Sequence, residues 1–256
     1  MKIAINWIFF VSVILVNALA NILPINGYNT GQVSGFYPNY FVPAGFTFSI
    51  WGIIYLLLFT YTIAFTYYTI KSDKFPKVQA YLNKVNTLFL VTCILNISWI
   101  FAWHYLQVEL SVLIMLFFLT ALCKIFIESN KFVQLLKPTQ IFLLITPFTI
   151  YLGWISVATI ANFTALFVKI SWNGFGIEAM YWSGLMIFIA VVLGLLFLFK
   201  YSAISFTMVI AWALWGIKAR QGKEEIINDI SSMGLLILLG SIVFFVFGKA
   251  KKRLAL

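Results

Sequence analysis

The stretch from Phe41 to Leu58 reads FVPAGFTFSIWGIIYLLL and leads from an uncharged loop straight into an apolar helix. A transmembrane helix needs about 20 mainly apolar residues, and the apolar segment that starts here continues to Tyr67. Pro43 stands before the helix, and Trp51 follows on its first turns. We therefore expect a membrane helix whose junction with the loop borders a ligand site.

The composition of the whole chain agrees with a membrane location. Of its 256 residues, 63% are hydrophobic and 9% are charged, whereas a soluble domain carries about 25% charged residues. The net charge of +10 does not indicate a nucleic-acid partner, because the positive residues lie in short loops between apolar runs, as in membrane proteins. The sequence therefore predicts an integral membrane protein in contact with lipid.

Eight apolar segments can be counted along the chain. Each is expected to be helical, because backbone polar groups in lipid must bond within their own segment. The first is longer than the core of a signal peptide, so we expect a retained helix. The segments are roughly Ile5–Leu23, Phe46–Tyr67, Val85–Tyr105, Leu110–Ile127, Ile141–Val168, Ala179–Phe199, Ala203–Ile217 and Met233–Phe247.

The Lys and Arg residues predict the orientation of these helices. With eight helices, one side of the membrane holds Lys2, Lys71, Lys74, Lys77, Lys84, Lys124, Lys131, Lys137, Lys200, Lys249, Lys251, Lys252 and Arg253, and the other holds Lys169, Lys218, Arg220 and Lys223. The positive-inside rule then places both termini in the cytoplasm. If one of the last three segments did not span, the charged loop from Lys218 to Asp229 would lie inside and the C-terminus outside.

No Asp, Glu, Lys, Arg or His lies deep within any predicted helix. The sequence shows no nucleophile with a base, no phosphate loop and no paired carboxylates. His104 and Glu109 are too few for a metal site; we expect His104 to snorkel toward the membrane interface. The sequence therefore predicts no catalytic residue and no metal ligand, and it favours a binding protein over an enzyme without deciding between them.

Tryptophan and asparagine are the side chains that could hold a ligand. Trp7, Trp172 and Trp182 fit interfacial belts, whereas Trp51, Trp99 and Trp154 lie deeper in their helices. Asn96 shares a helix face with Trp99, and Asn162 shares one with Trp154. Such pairs suit a flat, mostly apolar ligand that needs one or two hydrogen bonds, and they suit interhelical packing equally well.

The loop from Pro24 to Gly45 is long, rich in Gly and Pro and free of charge. Loops of this length often act as lids, although a solvated connector would look the same. The sequence leaves both alternatives open.

Three blocks of this chain resemble the translocator protein family, known in bacteria as tryptophan-rich sensory proteins (TspO/MBR). The resemblance covers roughly Ile5 to Lys169. The chain departs from the family in lacking a Pro-Pro-x-Trp loop pattern and the usual fourth-helix Trp, in placing Pro147 four residues before Tyr151, and in carrying three further helices. The matching residues are Pro43, Phe48, Trp51 and Tyr55, then Leu95, Asn96 and Trp99, and finally Tyr151, Leu152, Trp154, Ile155, Ala158 and Asn162.

Together with the eight apolar segments, the resemblance implies an all-α integral membrane fold of about eight helices. A five-helix bundle would occupy residues 1–169, and additional helices with a short basic tail would occupy residues 170–256. It further implies a bacterial-type inner membrane location and a homodimer. The glycines of the C-terminal helices offer close-packing points that leave open a partner bound there instead.

The family's ligands imply a pocket in one half of the bundle, roofed by the first loop. It would bind a tetrapyrrole such as protoporphyrin IX or haem, without a covalent cofactor, for sensing or transport. Alternatives are a transporter or accessory subunit of another class, and a porphyrin-degrading enzyme. The implied ligand-binding residues are Pro43, Phe48, Trp51, Tyr55, Asn96, Trp99, Trp103, Tyr151, Trp154 and Asn162.

Overall fold

The computed structural model describes the backbone of residues 1–254 and the side chains of residues 1–248. The side chains of the basic tail, Lys249, Lys251, Lys252 and Arg253, lie outside this description. The described chain is helical and contains no strand. Its helices are α1 (Lys2–Ile22), α2 (Thr30–Gly35), α3 (Ile50–Ile70), α4 (Pro76–His104), α5 (Val108–Phe132), α6 (Pro138–Leu144), α7 (Thr146–Lys169), α8 (Ala179–Tyr201), α9 (Ile204–Gln221) and α10 (Glu225–Leu254).

Each of the eight apolar segments contains one long helix in the structure, so the predicted all-α membrane fold is confirmed. Among the described residues, seven helices are long and apolar enough to cross a membrane. The eighth long helix, α9, has 18 residues and spans about 27 Å at 1.5 Å per residue. The outward faces are apolar; on α10, for example, Leu236 and Phe244 are exposed, as contact with lipid requires.

Five helices form a closed ring in the order α1, α4, α5, α7 and α3. Two asparagine pairs set the register between α1 and α4. The amide of Asn6 donates to the side-chain oxygen of Asn86 at 2.6 Å, and that of Asn17 donates to Asn96 at 2.6 Å. Since both pairs advance along the two helices in the same direction, α1 and α4 run parallel.

The last three helices pack against one another and join the ring through α9, which lies along α7. Gly153 on α7 permits a close approach, because a Cβ there would lie 3.0 Å from the Cβ of Val209. At its far end α9 reaches the first loop, where the Gln221 amide donates to the carbonyl of Asn39 at 3.1 Å. The Lys218–Asp229 loop therefore lies at the same end of the molecule as the Pro24–Gly45 loop; which end faces the cytoplasm stays a prediction.

The predicted fifth segment is divided into α6 and α7 around Ile145. The break lies just before Pro147, which has no N–H to donate to the preceding turn. The N–H of Phe148 bonds to the carbonyl of Ile145 instead of that of Leu144. The hydroxyl of Tyr81 donates to the free Leu144 carbonyl at 3.0 Å, so a side chain of α4 satisfies the backbone at the break.

Replacing Tyr81 with Phe tests this role. We expect Tyr81→Phe to lower the free energy of unfolding by about 1–3 kcal/mol, because it leaves a buried carbonyl without a donor. Thermal unfolding in detergent micelles provides the measurement. Tyr105→Phe is the matched control, since Tyr105 is 55% exposed; equal effects of the two changes would contradict the assignment.

Candidate ligand-binding site

The Pro24–Gly45 loop folds into a lid over one end of the helix ring. Its short helix α2 begins with a capping box, in which the Asn29 side chain accepts from the Gln32 N–H at 2.9 Å and the Gln32 side chain accepts from the Asn29 N–H at 2.8 Å. Val33 and Phe41 are fully buried. The packed lid, rather than the solvated connector, is the form the structure shows.

His104, at the end of α4, anchors this lid. Its Nδ1 lies 3.1 Å from the carbonyl of Ile25, and its Nε2 lies 3.1 Å from the hydroxyl of Thr30. Because a carbonyl only accepts, Nδ1 carries the proton and Nε2 accepts from Thr30. The expectation that His104 snorkels is wrong, since it is fully buried, and Glu109 pairs with Lys169 instead.

The lid adds little charge near the bundle mouth. Burial raises the pKa of the Tyr37 hydroxyl, and the nearby Lys169 ammonium partly offsets this effect. Tyr37 therefore stays neutral at neutral pH, and its ring lies against Trp103 with the centroids 6.0 Å apart.

An aromatic cavity of about 40 Å³ lies beneath the lid. Seven of the ten ligand-binding residues implied by the resemblance line it. These are Pro43, Phe48, Trp51, Trp99, Trp103, Trp154 and Asn162.

The tryptophan rings of this aromatic cavity form two walls. Trp99 stacks on Trp103 at 5.8 Å with an interplanar angle of 14°, and Trp51 continues the row 6.2 Å from Trp99. Trp154 stands nearly perpendicular to Trp51, at 84° and 6.2 Å. Rings from α3, α4 and α7 thus enclose the cavity.

Most polar groups around the aromatic cavity already have partners. The indole N–H of Trp99 donates to the Asn162 side-chain oxygen at 2.9 Å, and that of Trp103 donates to the Thr30 carbonyl at 3.2 Å. The Asn162 amide in turn donates to Ser111 at 2.8 Å. The indole N–H of Trp154 is buried and has no partner among the described residues.

The other three implied residues, Tyr55, Asn96 and Tyr151, do not line the aromatic cavity but lie one turn below it. Asn96 is fully buried. Its oxygen accepts from Asn17, and its amide donates to the Tyr151 hydroxyl at 2.8 Å and reaches the Tyr55 hydroxyl at 3.5 Å. The hydrogen-bonding capacity of Asn96 is therefore used within the protein, and the residue supports the floor of the site.

Four residues that line the aromatic cavity were not among the implied set: Ser34, Val157, Ala158 and Ala161. Helical spacing could have identified the last three, because residues three, four and seven positions after Trp154 share its face. Ser34 belongs to α2 in the lid, and only the fold brings that helix over the ring.

Helix α9 clamps the segment that leads into α3, residues 43–49. The N–H of Ala44 donates to the Gly216 carbonyl at 2.9 Å, and the Trp212 indole donates to the Thr47 carbonyl at 3.0 Å. The Thr47 side chain fills the space that a Cβ on Gly216 would need. Because this segment also carries Pro43 and Phe48, the C-terminal helices help to shape the aromatic cavity.

Comparison with known proteins agrees with this architecture. A family model described as TSPO-like protein matches residues 3–247. The chain belongs to the TSPO-like protein family. No curated protein and no solved structure matches the chain.

The family match covers the C-terminal helices as well as the five-helix ring. The TSPO-like pattern continues through α8 and α9 and into α10, although the resemblance noted from the sequence reached only to about Lys169. The clamp between Gly216 and Thr47 gives a physical reason for a continuous family pattern, because α9 holds part of the site in place. The division at residue 169 stays a prediction about domains.

Substituting Gly216 tests the clamp. We expect Gly216→Ala to destabilise the fold by about 1–3 kcal/mol, because the added methyl overpacks the contact with Thr47. The melting temperature in detergent provides the measurement. Gly240→Ala on α10 is the control, since a Cβ there meets no atom within 4 Å; a Gly216 variant as stable as this control would rule out the tight contact.

Proposed function

We propose that the protein binds a flat, mainly apolar ligand of the tetrapyrrole type in the aromatic cavity, for sensing or transport. The observation that carries this proposal is the unpaired indole N–H of Trp154 on a wall of aromatic rings. Leaving a buried donor without a partner costs about 1–3 kcal/mol. A ligand with an acceptor group would recover this free energy while its plane lies against the rings.

The lining residues favour a ligand held by shape rather than by a metal bond. The eleven residues that the structure places around the aromatic cavity include no His, Cys or Met, which are common axial ligands of haem iron. Aromatic faces and edges suit a planar macrocycle. Protoporphyrin IX, which needs no axial ligand, is therefore the better probe of the site, and its propionates offer acceptors to Trp154.

The size of the aromatic cavity implies that the lid moves when a ligand enters. Pockets that enclose small molecules have volumes of about 300–1,000 Å³, whereas this cavity measures about 40 Å³. Several polar contacts hold the lid, among them those that His104, Trp103 and Gln221 make with it. A ligand that binds only the open form would shift the population toward that form.

Titration with protoporphyrin IX tests the proposal. We expect saturable binding, seen as a shift of the main porphyrin absorption band. Trp154→Phe should weaken it about 3–10-fold, because one hydrogen bond is lost while the ring is kept. Trp7→Phe is the matched control at the opposite end of the bundle, where the indole donates to Thr66 at 3.0 Å.

A cavity-filling change separates this site from unspecific uptake by the micelle. Ala158→Phe places a ring inside the aromatic cavity and should abolish saturable binding. If Ala158→Phe and Trp154→Phe both bind protoporphyrin IX as tightly as the unmodified protein, the ligand does not occupy this cavity and the proposal is wrong.

A further inference from the structure

A second and larger cavity lies where α7 meets α8. Its volume is about 230 Å³, and we call it the α7–α8 cavity. Trp172 and Trp182, which the sequence assigned to an interfacial belt, stand in its wall. The full lining is Asn39, Thr164, Phe167, Val168, Ser171, Trp172, Asn173, Gly174, Ile177, Ala179, Trp182, Ser183 and Met186.

The wall of the α7–α8 cavity is preformed. The ring of Trp172 lies 4.5 Å from that of Phe167 and 5.2 Å from that of Trp182. The Trp182 indole donates to the Gly174 carbonyl at 3.0 Å. Gly174 adopts a left-handed backbone with φ of +63°, and a Cβ there would lie 3.2 Å from the Trp182 indole nitrogen. The turn and the ring therefore fix each other, so the cavity needs no rearrangement to exist.

The α7–α8 cavity is lined by few polar side chains and by no charged ones. None of its thirteen described lining residues is ionised. Ser183 is only 4% exposed, and its hydroxyl makes no hydrogen bond within the described structure, although it lines the cavity. Burying an ion in such surroundings is costly, whereas a neutral group that bonds a hydroxyl is well accommodated. The chemistry of the lining selects a neutral ligand with one hydroxyl or carbonyl group.

The position of the α7–α8 cavity indicates how a ligand would reach it. It lies beside the lid, which contributes Asn39, and near the ends of two membrane helices. Tryptophans at this depth mark the boundary between lipid tails and headgroups. An amphiphile dissolved in the bilayer has its polar group at the same depth and its apolar body alongside the helices.

The two cavities follow each other along one face of α7. Val157 and Ala161 line the aromatic cavity, and Thr164 and Val168 line the α7–α8 cavity. Their spacing of four, three and four residues is that of a single helical stripe. The second cavity is nevertheless separate in its lining, because it shares no residue with the first.

We propose that the α7–α8 cavity is a binding site for a neutral amphiphile, which packs its apolar body against Trp172, Trp182 and Met186 and hydrogen-bonds to Ser183. The site does not depend on tetrapyrrole binding. It gives the C-terminal helices a ligand-binding role in addition to their clamp on the lid.

The probe for this proposal is monoolein brominated across its double bond, a neutral glycerol ester whose bromine atoms quench indole fluorescence on contact. We expect saturable quenching of the protein in dodecyl maltoside micelles. Ser183→Ala should weaken the apparent affinity about 2–10-fold, the usual effect of losing one hydrogen bond. Ser12→Ala on α1 is the matched control and should bind like the unmodified protein, because its hydroxyl already donates to the Ile8 carbonyl at 2.8 Å.

A variant whose larger side chains fill the α7–α8 cavity, and a charged probe, provide two further tests of this proposal. Ser183→Leu combined with Thr164→Leu should abolish saturable quenching, and its melting temperature shows whether it is folded. Brominated oleic acid, ionised at pH 9, should bind at least about tenfold more weakly than brominated monoolein, since its charge would be buried. Non-saturable quenching, or an affinity that neither Ser183→Ala nor the filling variant changes, would overturn the proposal. Either result leaves the porphyrin test at Trp154 unaffected, because that test uses another probe and another cavity.

Discussion

The amide of Asn96 joins four helices of the ring in one hydrogen-bond network. From its place on α4 it bonds Asn17 on α1 and Tyr151 on α7, and it reaches Tyr55 on α3. A polar group in a lipid-embedded core that lacks a partner is costly. Because each member satisfies another, sliding any one of these helices along its axis would leave several buried groups unpaired. The network therefore fixes the relative heights of four helices.

The heights of the tryptophans follow from this network. Trp51 lies one turn from Tyr55, and Trp99 and Trp154 lie one turn beyond Asn96 and Tyr151 respectively, in each case toward the lid. Three rings on three helices are thus brought to one level without any direct bond between them. Trp154 lines the space that this arrangement encloses, and its indole donor has no partner among the described residues. The arrangement of the rings and the proposed ligand chemistry therefore have a common origin.

The C-terminal helices complete the site from outside the ring. Helix α9 packs closely on α7 at Gly153, fastens the start of α3 at Gly216 and holds the lid through Gln221. Helix α8 encloses the α7–α8 cavity with Trp182 and Ser183. In the family pattern that spans residues 3–247, these helices are part of the structure that shapes both cavities.

The sequence by itself determined the membrane fold, because an apolar run of membrane length has no alternative to a helix, and it identified the Trp-bearing faces through helical spacing. It also identified seven residues of the aromatic cavity by resemblance. The spacing of residues along one helix cannot show which groups on other helices form hydrogen bonds with a given side chain. Only the tertiary structure therefore decided that Asn96 supports the floor and that His104 anchors the lid. It also decided that the Trp154 donor has no partner among the described residues.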